Sequence, residues 1–157
     1  MTINALIREG QLDMVKELIE DQPSLVYQPD EKGFTPLIMS SYTNQYDIAK
    51  LLLDKGADVN ARDNAHNTAL MGVAFKGNPQ MAKLLIERGA DVNLTNRMNA
   101  TALIYAATFG HHAMAEILLA SAANTEIKDQ QGGTAAMYAR SKGFTDIVDM
   151  IENKNSH

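Results

Sequence analysis

The sequence predicts an all-α fold, a solenoid of helix pairs stacked on a period of 33 residues. Three observations carry this reading. The run Gly56-Ala57-Asp58-Val59-Asn60 returns 33 residues later as Gly89-Ala90-Asp91-Val92-Asn93, and again in altered form as Ala122-Ala123-Asn124-Thr125-Glu126. The same shift carries Asp30 to Asp63, Asn96 and Asp129, and Thr35 to Thr68, Thr101 and Thr134. It also carries Leu51-Leu52-Leu53 to Leu84-Leu85-Ile86 and Ile117-Leu118-Leu119, apolar stripes at helical spacing. The periods align without a gap over residues 30–128.

The elements follow in chain order. Residues 2–20 contain two helical stretches, Ile3–Arg8 and Leu12–Glu20, parted by Glu9-Gly10-Gln11. Pro23 and Pro29 break the chain before the first full period. Each period then opens on Asp or Asn, whose short side chain bonds nearby backbone N–H groups. Gly33, His66, Asn99 and Gly132 share a turn position that calls for a positive φ. The threonine is placed as an N-cap, with Pro36, Ala69, Ala102 or Ala135 as the first helical residue. This first helix is short and ends at Asn44, Gly77, Gly110 or Gly143, in left-handed C-cap positions. The second helix carries Ile48, Leu51 and Leu52, then Met81, Leu84 and Leu85, then Met114, Ile117 and Leu118. Gly56 and Gly89 stop it. Ala122 stands in the third such place, where a positive φ costs about 1 kcal/mol, so strain or a rearranged turn is expected. Glu152 replaces the apolar Leu53, Ile86 and Leu119 in the last unit, which keeps that face wet.

Thr35-Pro36-Leu37-Ile38 and its later versions Thr68-Ala69-Leu70-Met71, Thr101-Ala102-Leu103-Ile104 and Thr134-Ala135-Ala136-Met137 resemble the signature of the ankyrin repeat. The resemblance covers nearly the whole chain. It implies a β-turn or hairpin finger followed by two antiparallel helices per repeat, in a right-stacked curved array. On that pattern residues 1–157 form one domain: a capping helix pair over 1–29, full repeats over 30–62, 63–95 and 96–128, and a capping repeat over 129–157. With both caps present, a complete, monomeric array is expected. Ile38, Met71, Ile104 and Met137 stand where the signature has His. This predicts greasier packing between neighbouring first helices, with Met as core filler rather than as a binding groove.

The chain has no Cys, which removes disulfides and thiolate chemistry. Its formal net charge of -5 disfavours nucleic acid. It holds no apolar run long enough to span a membrane and opens on no secretion signal, so a cytoplasmic protein is expected. No catalytic motif appears, and neither enzyme activity nor a cofactor is expected. His111 and His112 are neighbours and point about 100° apart on a helix, poor geometry for one metal, so no metal site is expected. The repeated carboxylates, Asp58 and Asp91 among them, read as structural.

Function is therefore expected on the family's concave surface, made of fingertips and the exposed face of the first helices. Six of the nine Phe and Tyr fall on those positions: Phe34, Tyr42, Phe75, Tyr105, Phe109 and Tyr138. Aromatic residues anchor interfaces because they bury large areas at low entropy cost. With Lys32, Lys76, Arg97, Met98 and Lys142, and Arg140 nearby, they mark a face less acidic than the whole chain. The reading is a protein–protein interaction module, an inhibitor, neutraliser or scaffold for an unidentified protein. At least three of the six rings are expected to be exposed. A small-molecule or enzymatic role in the groove and nucleic-acid binding are the alternatives.

Overall fold

The computed structural model describes residues 1–155, and no strand occurs among them. The helices are α1 (Ile3–Arg8), α2 (Leu12–Asp21), α3 (Pro36–Tyr42), α4 (Tyr46–Asp54), α5 (Ala69–Lys76), α6 (Pro79–Glu87), α7 (Ala102–Thr108), α8 (His112–Ala120), α9 (Ala135–Lys142) and α10 (Thr145–Asn155). A short 3₁₀ turn, Pro23–Tyr27, follows Pro23. Each odd-numbered helix packs on the next odd-numbered one from α1 to α9, and α2 on α4, α6 on α8 and α8 on α10. This is an all-α solenoid.

The opening residue of each period sets its finger. One side-chain oxygen takes two backbone N–H groups: Asp30 Oδ1 those of Lys32 and Phe34, Asp63 Oδ1 those of Ala65 and Asn67. Asn96 Oδ1 does the same for Met98 and Ala100, and Asp129 Oδ1 for Gln131 and Gly133. The fingers are turns rather than hairpins. One backbone bond joins each to its predecessor, from the N–H of Asn64, Arg97 and Gln130 to the carbonyls of Lys32, Ala65 and Met98. The same residues reinforce it: the Asn64, Arg97 and Gln130 side chains donate to the carbonyls of Glu31, Asn64 and Arg97.

Thr35, Thr68, Thr101 and Thr134 cap the first helices by accepting from the N–H three residues on, each worth about 1 kcal/mol. Thr2 caps α1 in the same register, 33 residues before Thr35, by accepting from the Ala5 N–H. The Leu of the signature is there Asn4, buried, whose Nδ2 donates to Asp30 Oδ2 and to the Phe34 carbonyl. Leu37, Leu70 and Leu103 are buried from the first helices; Ile48, Leu52, Met81, Leu85, Met114 and Leu118 from the second. The expected stripe holds at those six positions and at Leu84, with two exceptions and an added alanine in each helix. Leu51 and Ile117 are half-buried, while Ala49, Ala82 and Ala115 are fully enclosed. Ile38, Met71 and Ile104 are buried between neighbouring first helices, but Met137 is 51% exposed. No first helix packs beyond α9 among the described residues, so the expected greasy contact has no partner there.

His111 Nε2 donates to the Phe75 carbonyl across the inter-helix turn, at 2.9 Å. Gly77, with φ +80, makes room for that ring, since a Cβ would lie 2.4 Å from its Nδ1. His112 Nδ1 lies 2.5 Å from the Asp146 carboxylate, and that bond holds the Asp146 carboxyl below the usual range. The two histidines thus serve different neighbours. Glu152 is exposed, and Arg140 Nη2 donates to it at 2.5 Å.

Ala122 keeps the turn and bears the strain, at φ 65. The left-handed conformation costs Ala about 1–2 kcal/mol, and glycine returns roughly 0.4–1 of that through unfolded-chain entropy. Ala122→Gly is therefore expected to raise stability in urea by about 0.5–1 kcal/mol. A lowered urea midpoint at unchanged slope would contradict this.

Candidate functional site

The fingers and the first helices α3, α5, α7 and α9 together form one face. Tyr42, Phe75 and Phe109 are 44%, 42% and 46% exposed on it, while Phe34, Tyr105 and Tyr138 are half-buried. Three of the six rings are therefore open, the number expected. They run together. The Phe75 ring meets Phe109 edge-on at 4.7 Å between centroids and Tyr105 at 6.2 Å. Edge-to-face contacts of this kind add about 0.5–1.5 kcal/mol beyond burial, so the ridge is held in place without being covered. Next to Phe75 at the end of α5, Lys76 places its Nζ 4.6 Å from the centre of the Tyr42 ring, a cation over an aromatic face.

The half-buried rings are turned inward. The Tyr105 hydroxyl accepts from Asn96 Nδ2 at 2.7 Å, and the same Nδ2 donates to Asn67 Oδ1 at 2.8 Å. The Tyr138 hydroxyl donates to Asp129 Oδ2. Phe34 packs against both the N-terminal and the central parts of the core. Lys32, Arg97 and Met98 lie exposed on the fingertips and Lys142 at the far end of α9. Arg97 Nε is committed to the finger ladder by its 2.7 Å bond to the Asn64 carbonyl. The structure thus brings Phe34, Tyr42, Phe75 and Tyr105 around one cavity of about 390 Å³ and leaves Lys32, Lys76, Arg97, Met98, Phe109, Tyr138 and Lys142 outside it. The cavity lies over Gly72, and Asp63 lines it; neither was among the expected site residues.

The family follows from this architecture. The chain belongs to the ankyrin repeats: a model of ankyrin repeats in three copies matches residues 2–63 and 70–156, and one of many copies matches residues 42–86. Ankyrin repeats generally mediate protein–protein interaction and are generally not catalytic. The chain is 37% identical over 70 residues to "DNA-binding protein RFXANK" of Homo sapiens, covering 45% of this chain and 27% of that protein. It is 34% identical over 70 residues to "Ankyrin repeat and SAM domain-containing protein 6" of Rattus norvegicus, 44% of this chain and 8% of that one. It is 45% identical over 56 residues to "Serine/threonine-protein kinase VIK" of Arabidopsis thaliana, 36% of this chain and 13% of that one. The chain thus spans about a quarter or less of the length of these three relatives. No helix among the described residues is long and apolar enough to cross a membrane.

The Tyr138–Asp129 bond has a readable pH signature. Burial works to raise the Asp129 carboxyl, but the bonds from Tyr138 and from the Gly133 and Gln131 N–H groups outweigh it and hold it low. The Tyr138 hydroxyl is pushed up by that same bond and, less, by burial. Asp129, more acidic when folded, stabilises the fold above its ordinary value of about 4, and this is lost as pH falls through its depressed value. Tyr138, less acidic when folded, contributes below about 10, and this is lost as pH rises through its raised value. Tyr138→Phe should flatten both limbs of a plot of urea midpoint against pH. Superimposable profiles for the two proteins would show that the bond contributes nothing.

Proposed function

We propose that this chain is a binding module that holds a partner protein on the face formed by its fingers and first helices. The observation that carries the reading is three large rings left open on that face: Phe75 edge-on to Phe109, and Tyr42 lining the same cavity as Phe75. Leaving nearly half of each ring in water forfeits about 1 kcal/mol apiece that burial would return, and patches of this kind mark interaction sites. The matched relatives carry names as different as a kinase and a SAM-domain protein and share with this chain only the repeat segment, which supports binding over chemistry. Lys32, Lys76, Arg97 and Lys142 make no ion pair with a carboxylate among the described residues, which favours a partner with acidic groups around its docking segment. A net charge of -5 favours protein over nucleic acid as that partner. An inhibitor, a neutraliser and a scaffold would all use the face in this way. The chain acting by itself in the cytoplasm as a monomer completes the proposal.

The test is affinity capture with the wild type and with a Tyr42→Ala/Phe75→Ala/Phe109→Ala variant matched for folding by circular dichroism. Tyr105 is left intact because its hydroxyl holds Asn96. A partner bound by the wild type should bind the variant more weakly by at least about 2 kcal/mol, the scale of interface anchors. Equal retention by both would move the binding surface off this face.

A further inference from the structure

The tenth position of the repeat, counted from the residue that opens the finger, is Met39, Gly72, Tyr105 and Tyr138. In the third and fourth repeats that tyrosine covers the second polar atom of the opening residue: Asn96 Nδ2 donates to Tyr105, and Tyr138 donates to Asp129 Oδ2. In the first repeat Asn4 Nδ2 covers Asp30 Oδ2 at 3.2 Å. The second repeat departs from this. Gly72 offers no ring, and Asp63 Oδ2 takes no hydrogen bond from the described residues; Asp63 is only 8% exposed, yet this oxygen keeps an edge open to solvent. The space left is the 390 Å³ cavity, lined by Asp63, Gly72, Met39, Tyr42, Phe75 and Tyr105.

The backbone does not require glycine at residue 72, since its φ is not positive. A Cβ there would crowd one group, the Tyr42 ring at 3.3 Å, and that ring would have to give slightly. Inside a helix it weakens α5 relative to alanine. What it provides is the opening above a buried carboxylate.

We infer that this cavity is a socket for a lysine side chain of the bound partner, with the ammonium on Asp63 Oδ2 and the alkyl stem against the surrounding rings and Met39. The chemistry selects that occupant. A buried acceptor without a donor is costly, so an apolar side chain filling the socket would leave Oδ2 dry and unpaired. A carboxylate would be repelled. Arginine's fork matches both oxygens of a carboxylate, but Asp63 Oδ1 already holds two backbone N–H groups, so a single compact ammonium fits better. Tyrosine and phenylalanine faces favour a cation, as Lys76 on Tyr42 shows within the protein, and an alkyl stem suits such walls. Lys76 itself makes no ion pair with Asp63. Because Lys32 and Arg97 stand on the fingertips, the lysine belongs to a segment otherwise neutral or acidic.

This deepens the binding reading and rests on it. The experiment is selection of a phage-displayed random peptide library on the wild-type protein, followed by titration of the selected peptides. Two socket variants accompany it. Gly72→Tyr rebuilds the third-repeat arrangement and fills the cavity. Asp63→Asn keeps the finger, because Asn96 makes the same two backbone bonds, and removes the charge. Selected peptides should share a lysine at one fixed position, and its change to norleucine should weaken binding about tenfold or more. Both variants should lose that preference and bind the lysine and norleucine peptides alike; if Gly72→Tyr does not fold, Asp63→Asn decides. Peptides that need Phe75 and Phe109 but lack a fixed lysine, or that bind Asp63→Asn with undiminished lysine preference, would overturn the socket and leave the groove standing. If no peptide is selected, the groove and the socket fall together.

Discussion

One interaction recurs through the molecule, and the rest of the fold depends on it. A single side-chain oxygen at the opening of each repeat gathers two backbone N–H groups. Those N–H groups would otherwise be left unpaired in a loop packed against its neighbours. Once they are satisfied, the finger has one shape, and its tip can pass a backbone bond to the next finger. The threonine that follows then enters its helix at a set angle and caps it. Helix direction, and with it the stacking of first helix on first helix, is a consequence. Asp and Asn serve equally because only one acceptor is needed, which is why Asn96 stands among three aspartates without disturbing the array.

That economy leaves a second polar atom on each opening residue, and what becomes of it differs between repeats. Asn4, Asn67, Tyr105 and Tyr138 supply partners from three different structural positions. The rings of Tyr105 and Tyr138 are drawn inward by this demand. Tyr42 and Phe75, three residues further along their helices than the tenth position, are under no such demand and stay open. The division of the six aromatic residues into half-buried and exposed sets therefore follows largely from hydrogen bonding.

The sequence made the architecture readable because the repeated residues act within their own repeat. The caps, the left-handed positions and even the strained Ala122 are local, and the 33-residue register carries them. Contacts with a neighbour are less readable. Met137 occupies the same register as the buried Met71 yet lies in water, because burial at that position is supplied by the following helix. The helix pair over residues 1–29 was legible, but the change from Leu to Asn at residue 4 hid Thr2 as its capping threonine. Leu51 and Ile117 looked like core from spacing, but they are half-buried, and the alanines beside Ile48 and Met114 are the fully enclosed residues. The candidate site divides the same way. Its rings could be counted in the sequence, but the cavity depends on a side chain that is missing at Gly72.

Departures from the period are where a repeat protein can hold information that its fold does not require, yet a departure alone is no argument. Ala122 breaks the rule at an exposed turn, carries strain, and faces nothing; it reads as a tolerated cost. Gly72 also weakens its element, but it does so beside a carboxylate that is buried, half-satisfied and ringed by aromatic residues. The third and fourth repeats carry tyrosine at this register, bonded to the opening residue. A position that leaves out the ring its sister repeats use, and thereby opens an unpaired acceptor to the binding face, is explained by what enters from outside.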